Sequence, residues 1–517
     1  MILRSTVIEN RYFDSVFLMS LAAELKKMGG VLDASALMGT DSNKDLLKDS
    51  GLLDDIAKSA APNDLILSVK IENESQYPSI KERIDKFLAG EDDAAPKKRS
   101  GRGEQVAHTI EEGLDILEDA NLLHISIPGP FVYNEALRAI DKGLNLFIFS
   151  DNVSIEEERI IKEEAKKRDL LVMGPDCGTA IINGVGLGFA NVVPRGPLAV
   201  IGASGTGIQE ITCLAAQRGI GIAQAIGLGG RDLRKEIGAI SMLQALDMIE
   251  TQSEVKVICL VSKPAHPDSM AKIMARAERM NLPIIACFLG ASTEIAHPKN
   301  VHIATRLDEA VDMVEAVLRG ETPKRSDKAI ISETCLAKLQ ERKAKLPATR
   351  KNIKGLFSGG TLCDEALYMA KSLKLEKIQS NLVADSDPMA IINDGQNANL
   401  FLDMGDDKFT RGRPHPMIEF GYRMERVRAE AARAETAVIL LDLVIGYGSH
   451  KDPLAALLPV IEEFNKDSDP VFVLSITGTA QDPQNLEQIK TQVKAAGAWI
   501  AKSNAQAAAM AIEFVKR

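Results

Sequence analysis

Short apolar runs alternate with stretches of helical period through most of this chain, each pair separated by a turn bearing glycine or proline. Strands that read as continuous apolar runs, rather than as alternating ones, belong in a parallel sheet covered on both faces. The opening segment predicts strand, helix, strand and helix at 2–8, 16–28, 64–69 and 77–88. Residues 90–103 (GEDDAAPKKRSGRG) are polar and turn-rich, so they read as a solvated tether; Lys97, Lys98, Arg99 and Arg102 touching an anion is the sharper alternative. From 105 to 195 strands are expected at 122–127, 146–149 and 170–173, with helices at 134–142 and 155–168. Residues 196–320 repeat the theme with strands at 198–201, 220–225, 255–260 and 283–289, and helices at 207–218, 241–250, 268–280 and 307–318. The basic stretch 321–350 reads as a partly helical linker. Residues 351–517 run through a similar cycle: strands at 355–357, 400–402, 436–441, 470–475 and 499–500, and helices at 363–373, 419–432, 454–465 and 483–495. Two segments with the same strand, glycine-turn, helix opening predict a divergent internal repeat.

The expected class is therefore α/β: a small α/β N-terminal domain (1–90), a linker (91–104), parallel-sheet domains at 105–195, 196–320 and 351–517, and a second linker at 321–350. Composition narrows the function. A net charge of -10 and an aromatic content of 4% disfavour nucleic-acid and anionic-membrane surfaces. The six cysteines form no CxxC pair, and several sit inside apolar runs, which predicts free thiols in a reducing compartment. With neither a signal-peptide pattern nor a membrane-length apolar stretch, the expected location is cytoplasmic. His108, His124, His266, His297, His302, His415 and His450 show no metal-ligand spacing, so no metal is expected, and His124 reads as a core residue within a strand.

Candidate chemistry gathers at the turns. Gly202-Ala203-Ser204-Gly205-Thr206-Gly207 and Ser358-Gly359-Gly360-Thr361 each join an apolar strand to a helix. Such a turn lets the backbone approach an anion, aims unpaired amides and the positive helix end at it, and here adds the Ser204 and Thr206 hydroxyls. The plain alternative is glycine kept only for packing. Neither turn matches GxxxxGK[ST], which argues against a P-loop NTPase. Arg231, after Gly227-Leu228-Gly229-Gly230, reads equally as a carboxylate or phosphate clamp and as a solvated neighbour of a helix-capping Asp232. Arg411, Arg413 and His415 lie in a loop beyond the strand that ends at Asp403-Met404-Gly405, a place where α/β sheets carry ligands. An ordinary exposed loop histidine is the competing reading of His415.

These residues resemble a known family. The run 105–320 is similar to the α subunit of succinyl-CoA synthetase. Ile125-Ser-Ile-Pro-Gly-Pro-Phe131 and Met173-Gly-Pro-Asp-Cys-Gly178 look like the second half of its Rossmann-like CoA-binding domain. Gly202-Ala-Ser-Gly-Thr206 and Gly227-Leu-Gly-Gly-Arg-Asp232 look like phosphate-side loops of its flavodoxin-like ligase domain, and 351–517 resembles the ligase domain of the β subunit. The fused arrangement resembles the FdrA proteins, described as acyl-CoA-synthetase-like. The resemblance implies that the two helix starts cradle a phosphate through Gly202, Ser204, Gly205, Thr206, Ser358, Gly359, Gly360 and Thr361. It also implies a CoA-like site at Pro128, Gly129, Pro130, Phe131, Pro175, Asp176 and Cys177. The chain departs from the synthetase at the phosphohistidine loop: Gly290-Ala-Ser-Thr-Glu-Ile-Ala-His297 replaces Gly-His-Ala-Gly-Ala, and neither an ATP-grasp domain nor the first CoA-domain turn has a counterpart.

A phosphate site without a nucleotide suits an acyl phosphate, and FdrA-type proteins are linked to oxamate carbamoyltransferase (oxalurate and phosphate to oxamate and carbamoyl phosphate) in allantoin breakdown. On that reading Arg231 or Arg413 holds the oxamate carboxylate, His415 shuttles the amide proton, no cofactor is required, and other subunits of a transferase complex are partners. Two alternatives stay open. One is an acyl-CoA synthetase component that binds CoA; the other is a non-catalytic scaffold sensing a phosphorylated metabolite. The sequence leaves open whether the chain forms a homo-oligomer.

Overall fold

Two doubly wound sheets carry the two glycine turns, and the order of their strands decides where a ligand can sit. The computed structural model describes residues 2–516 except 10, 12, 14, 90–106, 292–295, 326–328, 384–390, 392–396 and 411–413. Residues 1–108 with 407–414 form one unit, and 109–406 with 415–517 form another.

In the first unit, β1 (Ile2–Ile8), β2 (Val31–Met38) and β3 (Leu65–Ile71) make an antiparallel sheet in the order β1-β3-β2. Its core holds Leu21, Leu25, Ala34, Leu67, Val69, Ile80 and Phe87, from the strands and from the helices Ser15–Lys26 and Tyr77–Ala89. Strand β2 is absent from the sequence reading, because Asp33 and Ser35 interrupt its apolar run.

The second unit begins with a three-stranded sheet of β4 (Leu122–Ile125), β5 (Asn145–Ile148) and β6 (Val172–Met173), parallel and in chain order. His124 is exposed, not part of the core. It lies on the edge strand β4 with its ring 4.9 Å from that of Phe147. The next hairpin, β7 (Thr179–Ile182) and β8 (Val185–Gly188), leaves this sheet. It joins β9 (Arg195–Gly202), β10 (Ile222–Gly227), β11 (Val257–Ser262), β12 (Ile284–Phe288) and β13 (Val301–Ala304) in the order β13-β12-β11-β9-β10-β7-β8. The five strands β9–β13 are mutually parallel, and β10 and β11 are buried along their whole length, which is why they read as unbroken apolar runs.

The second repeat has β14 (Asn352–Phe357), β15 (Ile378–Ser380), β16 (Asn399–Asp403), β17 (Thr436–Val444), β18 (Val471–Thr477) and β19 (Trp499–Ile500), all parallel, in the order β15-β16-β14-β17-β18-β19. With β15 set aside as an extra edge strand, both repeats wind in the same 2-1-3-4-5 sense, as the doubled opening predicts. One apolar core runs through both, from Val200 and Ile208 to Phe357, Cys363, Val473 and Phe514. Much of its middle is the helix Asn504–Val515, packed on the helix Gly360–Ser372 and on β17 and β18. Periodicity misses this helix, because it is alanine-rich and buried almost all round.

Candidate functional site

In a doubly wound sheet the strand order reverses beside the first strand, and a crevice opens there at the C-terminal ends. Here those places are the ends of β9 with β11 and of β14 with β17. Each glycine turn starts a helix of thirteen residues at its crevice, Gly205–Gln217 and Gly360–Ser372. The two helices meet N-terminus to N-terminus. Ser204 Oγ and Thr361 Oγ1 are 2.6 Å apart and share a hydrogen bond. A Cβ at Gly359 would stand 2.9 Å from Thr206 Cγ2, and one at Gly207 would stand 3.1 Å from Thr361 Cγ2. Glycine at both positions lets the turns touch.

Ser204 caps its own helix by accepting from the Gly207 amide at 3.0 Å. Among the described residues, the amides of Gly205, Thr206, Gly360, Thr361 and Leu362 have no protein acceptor. Two positive helix ends in contact repel, and negative charge is what offsets this. Part of that charge is built in. Asp442, on β17, accepts from the Ser358 and Gly359 amides at 2.7 Å each and from Ser358 Oγ at 3.0 Å. Arg423 pairs with it at 2.6 Å and also donates to the Leu356 carbonyl, all of this buried. The crevice of the second repeat is thus filled from within.

Around the remaining amides stand Lys263, Asp364, Asp403 and His415. Lys263, directly after β11, pairs with Asp364 at 2.9 Å. Burial alone would lower this lysine, but Asp364 and Asp403 hold it above its usual value. Asp403 closes β16 and is 8% exposed; Oδ1 accepts from the Gly405 amide at 2.9 Å, while Oδ2 points at Gly360, where a Cβ would collide with it. Burial pushes this carboxyl up to about 7, against the pull of Lys263. His415 Nδ1 accepts from the Met417 amide at 3.2 Å, and burial pushes the imidazole down to about 4. A neutral ring accepting at Nδ1 carries its proton on Nε2, and Nε2 lies 2.6 Å from where a Gly405 Cβ would be.

The other candidate residues lie elsewhere or are committed. Arg231 Nε pairs with Glu158 at 2.8 Å and its terminal nitrogen donates to the Val153 carbonyl, so the guanidinium is engaged rather than solvated. Asp232 does cap a helix, accepting from Ser241 and Met242 at the start of Ile240–Glu250, and it also holds the buried Lys162. Pro175 and Asp176 lie against Gly229 and Gly230. Cys177 is buried, its thiol pushed up to about 12 by burial, which leaves it no nucleophile. Gly129 packs on the backbone of Asp151 and Asn152, and Phe131 is 64% exposed. Arg411 and Arg413 lie outside the described residues. His297 is exposed, with Nδ1 3.1 Å from the Pro298 carbonyl oxygen. Gly290 lies so close to the Tyr368 ring that a Cβ there would collide with it, so a tyrosine borders the end of β12.

Sequence reasoning missed Lys263, Asp364, Asp442 and Arg423, and read Asp403 only as a strand end. The available signal was a charged residue ending or closely following an apolar run, as in VICLVSK, NLFLD and VILLD.

Residues 356–514 match the CoA-ligase family, 195–289 the CoA binding domain and 1–106 the AllF heavy metal-associated domain. The CoA-binding match thus takes in the Gly202–Gly207 turn and leaves Pro128–Phe131 and Pro175–Cys177 outside it. The uncharacterized protein YahF of Escherichia coli (strain K12) is 36% identical over 513 residues, 98% of this chain and 97% of that one. The succinate–CoA ligase [ADP-forming] subunit alpha of Staphylococcus epidermidis is 24% identical over 37% of this chain and 63% of its own. The malate–CoA ligase subunit alpha of Methylorubrum extorquens is 24% identical over 36% and 64%. Among solved structures, the apo dinucleotide-forming acetyl-coenzyme A synthetase 1 of Ca. Korarchaeum cryptofilum aligns with 80% of this chain and 86% of its own, at 13% identity and a TM-score of 0.34. The heavy metal in the name of the N-terminal match does not fit this chain. Residues 1–106 contain no cysteine or histidine to supply soft donors, and no metal-holding cluster occurs among the described residues.

Proposed function

The chain belongs to the FdrA-like, acyl-CoA synthetase-like family that includes YahF, and from that premise we propose that it is the acyl-transfer component of such an enzyme, taking the phosphate of an acyl phosphate at its paired helix starts. The observation that carries this reading is the meeting of Ser204 and Thr361, which brings two sets of unpaired amides to one place. A mixed anhydride already holds its activation energy, so nucleotide is not needed at this step. An acceptor attacks the acyl carbon, the carbon–oxygen bond to phosphate breaks, and phosphate leaves with the bonding pair. Amides fixed at the departing oxygens stabilise the growing charge. CoA is the proposed acceptor, because the CoA-binding match covers the first turn.

A second reading, carbamoyl transfer between carbamoyl phosphate and oxamate with partner subunits, is favoured by one feature. The strand β12 runs into Gly290 beside Tyr368, and the sequence from Gly290 to His297 lacks the Gly-His-Ala-Gly-Ala pattern of a nucleotide-driven ligase. Phosphorus NMR separates the two. Acetyl phosphate or succinyl phosphate with CoA should release inorganic phosphate and form thioester. The double change Ser204→Ala, Thr361→Val should slow this at least about tenfold. Phosphate release only from carbamoyl phosphate plus oxamate selects the second reading. No release above spontaneous hydrolysis in either, with partner subunits present, overturns both.

A further inference from the structure

Asp403 is more than nine-tenths buried, yet among the described residues one of its carboxylate oxygens has no hydrogen-bond partner. That oxygen, Oδ2, faces Gly360, the first residue of a helix whose leading amides are also without acceptors. Among the described residues, charged and titratable groups face it from several elements, the Cys363 thiol of the same helix among them. Lys263 comes from the end of β11, Asp364 from the helix itself, Asp406 from the adjoining loop, and His415 across Gly405; the Asp442–Arg423 pair lies beyond Ser358. Besides Arg423, which is paired with Asp442, the described cation of this cluster is Lys263, whose Nζ pairs with Asp364 at 2.9 Å.

An oxyanion seated on the Gly205, Thr206 and Gly360 amides would meet Lys263 favourably and an ionised Asp403 unfavourably. Two like charges sharing so small a volume do not both ionise. Resting on the reading of the paired turns as a phosphate site, we infer that Asp403 takes up a proton when a tetrahedral oxyanion binds there and donates it as a hydrogen bond to the anion. The carboxyl becomes a donor, the anion keeps its charge, and the proton comes from solvent. Because Asp403 in the free protein titrates at about 7, protonating it costs little at neutral pH. Anion affinity is then flat below pH 7 and falls about tenfold for each pH unit above it.

Sulfate is the decisive probe, since it does not titrate in this range and any proton taken up must go to the protein. Calorimetric titration of the full chain with sulfate at pH 8, in two buffers of different ionisation enthalpy, should show close to one proton absorbed per sulfate. At pH 5.5 the uptake should vanish. Asp403→Asn should bind sulfate with no uptake and with an affinity unchanged between pH 7 and 9. Inorganic phosphate should compete with sulfate for the same site. Sulfate binding without proton uptake in the unmodified chain overturns the role of Asp403 and leaves the phosphate site standing. Absence of binding by both sulfate and phosphate overturns the site and the inference with it.

Discussion

At the scale of single residues, burial does most of the chemistry. Glu365 accepts from the Leu307 amide at 2.7 Å and from Asn504 Nδ2 at 2.8 Å, and burial, with Asp308 adding to it, pushes its carboxyl from 4.5 to about 8. The folded chain therefore holds a proton there that the unfolded chain releases above pH 4.5. Stability should fall as pH rises from about 4.5 to 8, by on the order of a few kcal/mol, and level off beyond. Thermal unfolding at pH 5, 6.5 and 8 checks this, and Glu365→Gln should remove most of that slope. Such a residue is illegible in sequence. Glu365 sits in a helix of mixed composition, and only the packing of Asn504 and Leu307 against it shows that it is sealed. The glycines of both turns were legible, because their spacing after apolar runs has few structural meanings. Lys263 and Asp442 were not, because a charge just beyond a strand, or late within one, does not by itself show whether it is solvated or buried.

At the scale of elements, the second turn is held open by a buried ion pair rather than by a side-chain cap. Gly359 occupies the cap position and supplies no side chain, so Asp442 satisfies the preceding amides in its place. Asp442→Asn leaves the Arg423 guanidinium buried without its counter-charge. The cost should be about 3–5 kcal/mol, read as a lower urea midpoint. The first turn is capped locally by Ser204, and its Ala203 amide is satisfied by a strand carbonyl, that of Val261 on β11 at 3.1 Å, rather than by a buried carboxylate. Continuous apolar strands and their crossover helices were readable one by one from hydrophobic runs. The helix Asn504–Val515 and strand β2 were not: the first has no polar face, and the second has polar interruptions.

At the scale of the second unit, the repeats share one core and one polar hub. Asn504 donates to the Leu362 carbonyl at 2.9 Å and to Glu365, and its amide donates to Glu210 at 3.0 Å. Glu210 in turn accepts from Thr477, on the far sheet. Asn504→Ala should cost about 3 kcal/mol through the acceptors it abandons. Trp499 fluorescence reports the second repeat, and the buried thiols of Cys213, Cys259 and Cys287 report the first. Both should shift to the same lower midpoint, as one cooperative block requires. That the repeats exist was plain from their twin openings; that they are fused at their turns was not, since sequence carries no distance between Ser204 and Thr361. This fusion fixes a stoichiometry. A duplicated fold suggests two equivalents of ligand per chain. Here one turn leans on the other and the second crevice is occupied by the chain's own aspartate, so an oxyanion should saturate at one equivalent.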